Sequence, residues 1–146
     1  MVNAVEVEAA RINAKYKLKD WKPILLIMRH HSHEEIMPFY KTANVCMVTS
    51  LHDGMNLVAK EFVASRNNND GVLILSRFAG ASQELQGAVI INPYDIEQMS
   101  DAIKTALEMP KKGQQKRMMQ MRQVIVEHNI YSWAAGLLRT MVSLQG

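Results

Sequence analysis

The residues with the clearest chemical potential form one run, Asp53-Gly54-Met55-Asn56-Leu57-Val58-Ala59-Lys60-Glu61. It follows a short apolar strand candidate, Val45-Cys46-Met47-Val48-Thr49, and opens a helical pattern. The first N–H groups of a helix have no partner inside the helix, and the macrodipole adds partial positive charge there, so an anion is welcome at that end. Leu57 and Val58 fall in the first helical turn, where their amides can point at a pyrophosphate. Gly54 has no β-carbon, which allows unusual backbone angles and lets a ligand approach the main chain closely. Glu61 lies four residues after Leu57, one turn along the same face. Asp53 and Glu61 therefore flank an anion site with acceptors suited to sugar and ribose hydroxyls. The chemistry this spacing supports is recognition of a nucleotide sugar. The same residues also suit a plain strand–turn–helix connection with Asp53 as a solvated turn residue, and spacing alone leaves both open.

Such a run needs a scaffold, and the flanking sequence alternates helical and extended patterns. Val5, Ala9, Ile12 and Tyr16 recur at helical spacing. Pro23-Ile24-Leu25-Leu26-Ile27-Met28 reads as a strand buried on both faces. Ser32 with Glu35 three residues on resembles a capping box, and Ile36, Phe39 and Tyr40 continue one helical face. Pro38 inside that helix predicts irregular first turns or a later start. A helix over 57 to about 66, a loop at 67–71, and strands at 72–75 and 88–91 follow, with a turn-to-helix step at Phe78-Ala79-Gly80-Ala81-Ser82 between the strands. Ile96, Met99, Ile103 and Leu107 mark an amphipathic helix ending at Pro110, and two more helices are expected over 115–127 and 132–144. Four strands alternating with helices imply an α/β, Rossmann-like parallel sheet with helices on both faces. Ligands of such sheets bind beyond the carboxyl ends of the strands. The loops holding His30-His31, Asp53-Gly54 and Phe78-Ala79-Gly80 are expected to converge there on one crevice.

Composition narrows the alternatives. A chain of 146 residues suits one domain, residues 1–146, and its 48% apolar content can fill a core. A formal charge of +3 is too small to argue for nucleic acid, and no aromatic residues interleave with the basic stretch 111–117, which reads as a solvated loop and helix start. No apolar run approaches the ~20 residues needed to span a bilayer, and the N-terminus lacks the features of a signal peptide, so a cytoplasmic protein is expected. Cys46 is the sole cysteine, which excludes an internal disulfide and predicts a buried, inert thiol. His30, His31 and His33 lack the spacing of a zinc motif. Ser50, Ser76 and His128 form no recognisable nucleophile arrangement. Met118, Met119 and Met121 read as packing or a domain-facing surface, and Trp21 and Trp133 as packing anchors.

Five stretches together resemble the C-terminal, donor-binding portion of the trehalose-6-phosphate synthases, retaining glycosyltransferases of the GT-B fold. These are Arg11-Ile12-Asn13, Asp20-Trp21-Lys22-Pro23, the run from Val48 through Glu61, the run Leu73-Ile74-Leu75-Ser76-Arg77-Phe78-Ala79-Gly80-Ala81, and Val89-Ile90-Ile91-Asn92-Pro93-Tyr94-Asp95. The resemblance runs almost end to end. It implies the C-terminal half of a GT-B enzyme that transfers glucose from UDP-glucose, or another NDP-glucose, to glucose 6-phosphate with retention.

By that resemblance, Asp53 and the backbone of Gly54, Met55 and Asn56 hold the donor glucose. Leu57 and Val58 amides meet the diphosphate, Ala59 and Lys60 belong to the same nucleotide-binding stretch, and Glu61 takes the ribose. His31 and Ile36 correspond to the surroundings of the base, although the family often has an apolar residue at the position of His31. The family is thought to use front-side attack, with the leaving phosphate accepting the acceptor's proton, and to need neither metal nor cofactor. Its acceptor-binding N-terminal domain, and an Arg and a Lys that grip the diphosphate, have no counterpart in these residues. The chain is therefore expected to be part of a longer enzyme and inactive alone. Two alternatives stand: a non-catalytic nucleotide-sugar-binding regulatory module, and a related synthase with another acceptor such as glycerol phosphate. An unpaired sheet edge would favour homo-oligomers.

Overall fold

The computed structural model describes residues 2–127, and the chain divides into two compact units, 1–32 and 33–146. The helix expected over 132–144, Trp133 and His128 lie outside the described residues.

The first unit opens with α1 (Val2–Tyr16). A tight reversal follows, in which Leu18 and Trp21 exchange backbone hydrogen bonds of 3.0 and 2.9 Å around Lys19, whose φ is 50°. Asn13 holds the next segment: its Nδ2 donates to the Ile24 carbonyl and its Oδ1 accepts from the Ile24 amide, both at 2.8 Å. The strand expected at residues 23–28 is not formed. Leu25 is 66% exposed and Met28 54%. The reason is hydrogen bonding. A parallel strand satisfies its backbone only against neighbouring strands, and among the described residues no strand pairs with this run. A side-chain amide serves Ile24 alone, and apolarity cannot replace the missing ladder.

The second unit holds α2 (His33–Thr42), β1 (Val45–Val48), α3 (Leu57–Ser65), β2 (Val72–Ser76), α4 (Ala81–Glu84), β3 (Val89–Ile91), α5 (Ile96–Glu108) and α6 (Lys111–Glu127). The described sheet has three parallel strands in the order β1-β2-β3, not the expected four. Val45 faces Val72 across one ladder and Ile74 faces Val89 across the other. Every residue of the central strand β2 is buried, as its unbroken apolar run requires. Alternation along β2 then sorts the core into two layers. Leu73 and Leu75 pack with Tyr40 of α2, Phe62 and Val63 of α3, and Met118 and Met121 of α6. Val72 and Ile74 face Ala102 and Ala106 of α5, small residues that let the helix lie close to the sheet. Full burial of Leu73, Ile74 and Leu75 contributes about 1.5–3 kcal/mol each.

Two helix starts differ from expectation. α2 runs unbroken from His33 with Pro38 inside it. Proline at the sixth position forfeits a single backbone bond, and Thr42 Oγ1 donates to the Pro38 carbonyl at 2.8 Å one turn later. α6 begins at Lys111, four residues before the expected 115, because the Pro110 carbonyl accepts the amides of both Gly113 and Gln114. The basic stretch 111–117 is therefore helical rather than looped.

Candidate nucleotide-sugar site

At the carboxyl edge of the sheet, the loops after β1 and β2 are stitched together. Gly80 N–H donates to the Asp53 carbonyl at 2.8 Å, Ala81 N–H to the Met55 carbonyl at 3.1 Å, and Asp53 N–H reaches the Phe78 carbonyl at 3.4 Å. The approach is so close that a β-carbon on Gly80 would lie 2.0 Å from the Gly54 carbonyl oxygen. Glycine at 80 is thus a packing requirement. Gly54 itself has open space where a β-carbon would sit, and its φ is not positive. The conformational freedom expected of Gly54 is therefore not used; the room above its main chain is what remains.

The left-handed residue of this turn is Asn56, at φ 62° and ψ 83°. Asparagine tolerates that region better than most side chains because its short amide bonds locally. Asn56 is 6% exposed and every polar group of its side chain is engaged. Its Oδ1 caps α3 by accepting from Ala59 N–H at 2.9 Å, and its Nδ2 donates to Asp53 Oδ2 at 2.8 Å and Ser50 Oγ at 3.3 Å. Asp53 Oδ1 in turn accepts the amides of Met55 and Asn56, at 3.1 and 2.8 Å. These bonds, led by the Asn56 side chain and then the Met55 amide, hold the Asp53 carboxyl below the ordinary carboxylate range.

One consequence follows for the first turn of α3. The Ala59 amide is taken by its cap, whereas those of Leu57 and Val58 have no acceptor within the helix. Both residues are exposed. Two N–H groups at the positive end of the helix dipole are thus left without a helical acceptor, a few residues after the open Gly54. The Lys60 ammonium, by contrast, is bound by both oxygens of Glu84, at 3.1 and 3.0 Å, and ties α3 to α4. Glu61, one turn into α3, lies beside Tyr40 and His33 of α2.

Asp53, Gly54, Met55, Asn56, Leu57, Val58 and Glu61 are therefore grouped on one edge. Ile36, between His33 and Tyr40 on α2, is partly buried and packs against the core. His30 and His31 belong to the first unit, which has its own local structure. The loops of Asp53-Gly54 and Phe78-Ala79-Gly80 do meet, lining a groove of about 350 Å³ together with His52, Arg77 and Gln83, to which the sequence assigned no role. The Phe78 ring stands 6.2 Å from His52 and 5.9 Å from Tyr94. Their signal was positional, since each follows the end of a strand. Asn92 and Asp95 serve structure: Asn92 Oδ1 accepts from Tyr94 N–H, and Asp95 Oδ1 caps α5 through Gln98 N–H at 2.9 Å. Cys46 is pushed up to about 11 by burial, which keeps the thiol protonated.

The chain is similar to known proteins over nearly its whole length. The glucosylglycerol-phosphate synthase of Picosynechococcus is 42% identical over 135 residues, covering 92% of this chain and 27% of that protein. The trehalose-6-phosphate synthase of Sodalis glossinidius is 43% identical over 135 residues, covering 92% of this chain and 29% of its own length. A solved UDP-forming α,α-trehalose-phosphate synthase from Burkholderia xenovorans, in complex with glucose 6-phosphate, superposes with a TM-score of 0.88 at 44% identity, covering 98% of this chain and 31% of that one. The chain thus spans less than a third of the length of these relatives. The model of glycosyltransferase family 20 matches residues 1–143, and the chain belongs to that family.

Proposed function

We propose that this chain forms the donor-binding part of a retaining synthase that transfers glucose from UDP-glucose, or another NDP-glucose, to glucose 6-phosphate. The observation that carries the reading is the pair of amides, Leu57 and Val58, that have no acceptor within the helix at the head of α3, close in sequence to the open main chain of Gly54. A departing diphosphate accumulates negative charge, and fixed N–H dipoles aimed at it stabilise that charge without reorganising. Asn56 and Asp53 set this geometry before any ligand arrives, because their bonds hold the turn and cap the helix. The remaining lone pairs of Asp53 and the carboxylate of Glu61 suit the glucose and ribose hydroxyls.

Transfer requires an acceptor site as well. No residue of the 146 is assigned to hold the acceptor phosphate, so the chain alone is proposed to bind donor without transferring glucose. The acceptor has a second reading in glycerol phosphate, favoured by the 42% identity to a glucosylglycerol-phosphate synthase. An NMR titration of the 146-residue chain with UDP-glucose tests the donor reading. The expected result is shifts concentrated at the amides of Gly54, Leu57 and Val58, weakened about tenfold in affinity by Glu61→Ala. A dispersed spectrum in which those three amides stay unmoved while others shift would overturn it.

A further inference from the structure

Glu61 is flanked by two side chains of α2. The Tyr40 hydroxyl lies 3.4 Å from its Oε2, and His33 Nδ1 lies 3.8 Å from its Oε1. The two neighbours differ in kind. Tyr40 is buried, its ring meets Phe62 edge-on at 6.4 Å, and its carbonyl accepts from Arg66 at 2.7 Å. Burial, and then the charge of Glu61, push its hydroxyl up to about 12, so it remains a proton donor. His33 begins α2 with a largely exposed side chain, and at 3.8 Å it stands beside Oε1 without a hydrogen bond.

We propose that His33 and Tyr40 are positioning residues for Glu61, and that His33 makes recognition of a nucleotide's ribose diol sensitive to pH. The neutral imidazole leaves Oε1 open to two vicinal hydroxyls, while Tyr40 steadies Oε2. The imidazolium closes the remaining gap, pairs with Oε1 and competes with the ribose. This inference rests on the reading of Glu61 as the ribose acceptor.

The other charged groups of α2, and of the elements packed on it and on α3, are exposed or already bound. On α2, Glu34, Glu35 and Lys41 are exposed. On α3, Lys60 is paired with Glu84 of α4, and Arg66 at its end is bound to Asp70 and to the carbonyls of Tyr40 and Lys41. From β1 comes the protonated thiol of Cys46, and from α6 comes Arg122, bonded to the carbonyls of Val63 and Ala64. Among these side-chain types only imidazole ordinarily changes charge between about pH 5 and 8.

Calorimetric titration of the chain with UDP-glucose at about pH 7.5 and 5.5 tests the proposal. UDP-glucose is a diphosphate diester with no group of its own titrating in that window. The expected result is binding about two- to fivefold weaker at the lower pH, a loss that His33→Gln removes. The 2′,3′-dideoxy analogue of UDP-glucose is expected to show no His33-dependent slope. Tyr40→Phe is expected to weaken UDP-glucose at both pH values and leave the slope in place. A slope unchanged by His33→Gln, or shared by the dideoxy analogue, would overturn the proposal while leaving donor binding intact. Binding that ignores Glu61→Gln at both pH values, or no binding at either, would instead remove the ribose reading and this inference with it.

Discussion

Asn56 is the residue on which the local geometry turns. It bears a left-handed backbone, caps α3 and fastens Asp53 through one amide group. Asn56→Ala removes the cap, at about 1 kcal/mol, and leaves an alanine at positive φ, at about 1 kcal/mol more. The expected total is about 2 kcal/mol, read by denaturant unfolding. Asn56→Gly restores the backbone freedom and recovers much of that stability, but it lacks the arm that holds Asp53. Donor affinity is expected to fall in both variants, which separates the fold's need for the turn from the ligand's. Asp53 carries a sign in pH. Its folded carboxyl sits below the ordinary value of 3.8, so its contribution is present above that value and is lost as pH falls through the lower folded value. Asp53→Asn is therefore expected to flatten the acid limb of a melting-temperature profile below about pH 4, and an unchanged limb would count against the Asp53 bracket.

At the scale of elements, two contacts decide whether the site exists. Gly80→Ala would drive a methyl group into the Gly54 carbonyl and force the two loops apart. The expected cost is about 1–3 kcal/mol in chemical denaturation, with donor binding lost in the protein that still folds. Arg66 fastens the far ends of the same helices. Its side chain is 4% exposed and gathers the carbonyls of Tyr40 and Lys41 at the end of α2, together with the Asp70 carboxylate at 2.7 Å. Arg66→Met keeps bulk but leaves those carbonyls without their donor and Asp70 without its partner. A loss of about 3 kcal/mol is expected by denaturant titration, with α2 amides exchanging faster than those of β2. How much of this was legible beforehand differs by element. The helices and the three paired strands could be read from periodicity and turn residues. The run 23–28 could not, because its apolarity says that it is strand-like without saying whether a neighbour is there to bond it.

For the whole molecule, the described sheet is narrow. β1 pairs with β2 alone among the described residues, and Leu25 through Met28 are exposed. An unpaired edge and apolar side chains in water both favour association. Sedimentation velocity is expected to show self-association growing with concentration, and a single monomeric boundary across the range would refute it. No described helix is long and apolar enough to cross a membrane.

The grouping of the candidate site residues was readable from residue order, because a strand, a turn and a helix start place Asp53, Gly54, Leu57, Val58 and Glu61 within nine positions of one another. Local chemistry sets such neighbours wherever the rest of the chain lies. The role of each residue was not readable. Only the folded chain showed that Asn56 rather than Gly54 bears the left-handed turn, that Lys60 is held by Glu84, and that the Ala59 amide is capped by the Asn56 side chain. Nor did order alone bring Gly80 against Gly54, or His33 and Tyr40 against Glu61. Those contacts join residues some twenty or more positions apart, and they arise only when β1 and β2 pair in register and α2 and α3 pack on the same face of the sheet. Periodicity reports what one segment prefers to bury; which distant group will meet it is decided by the packing.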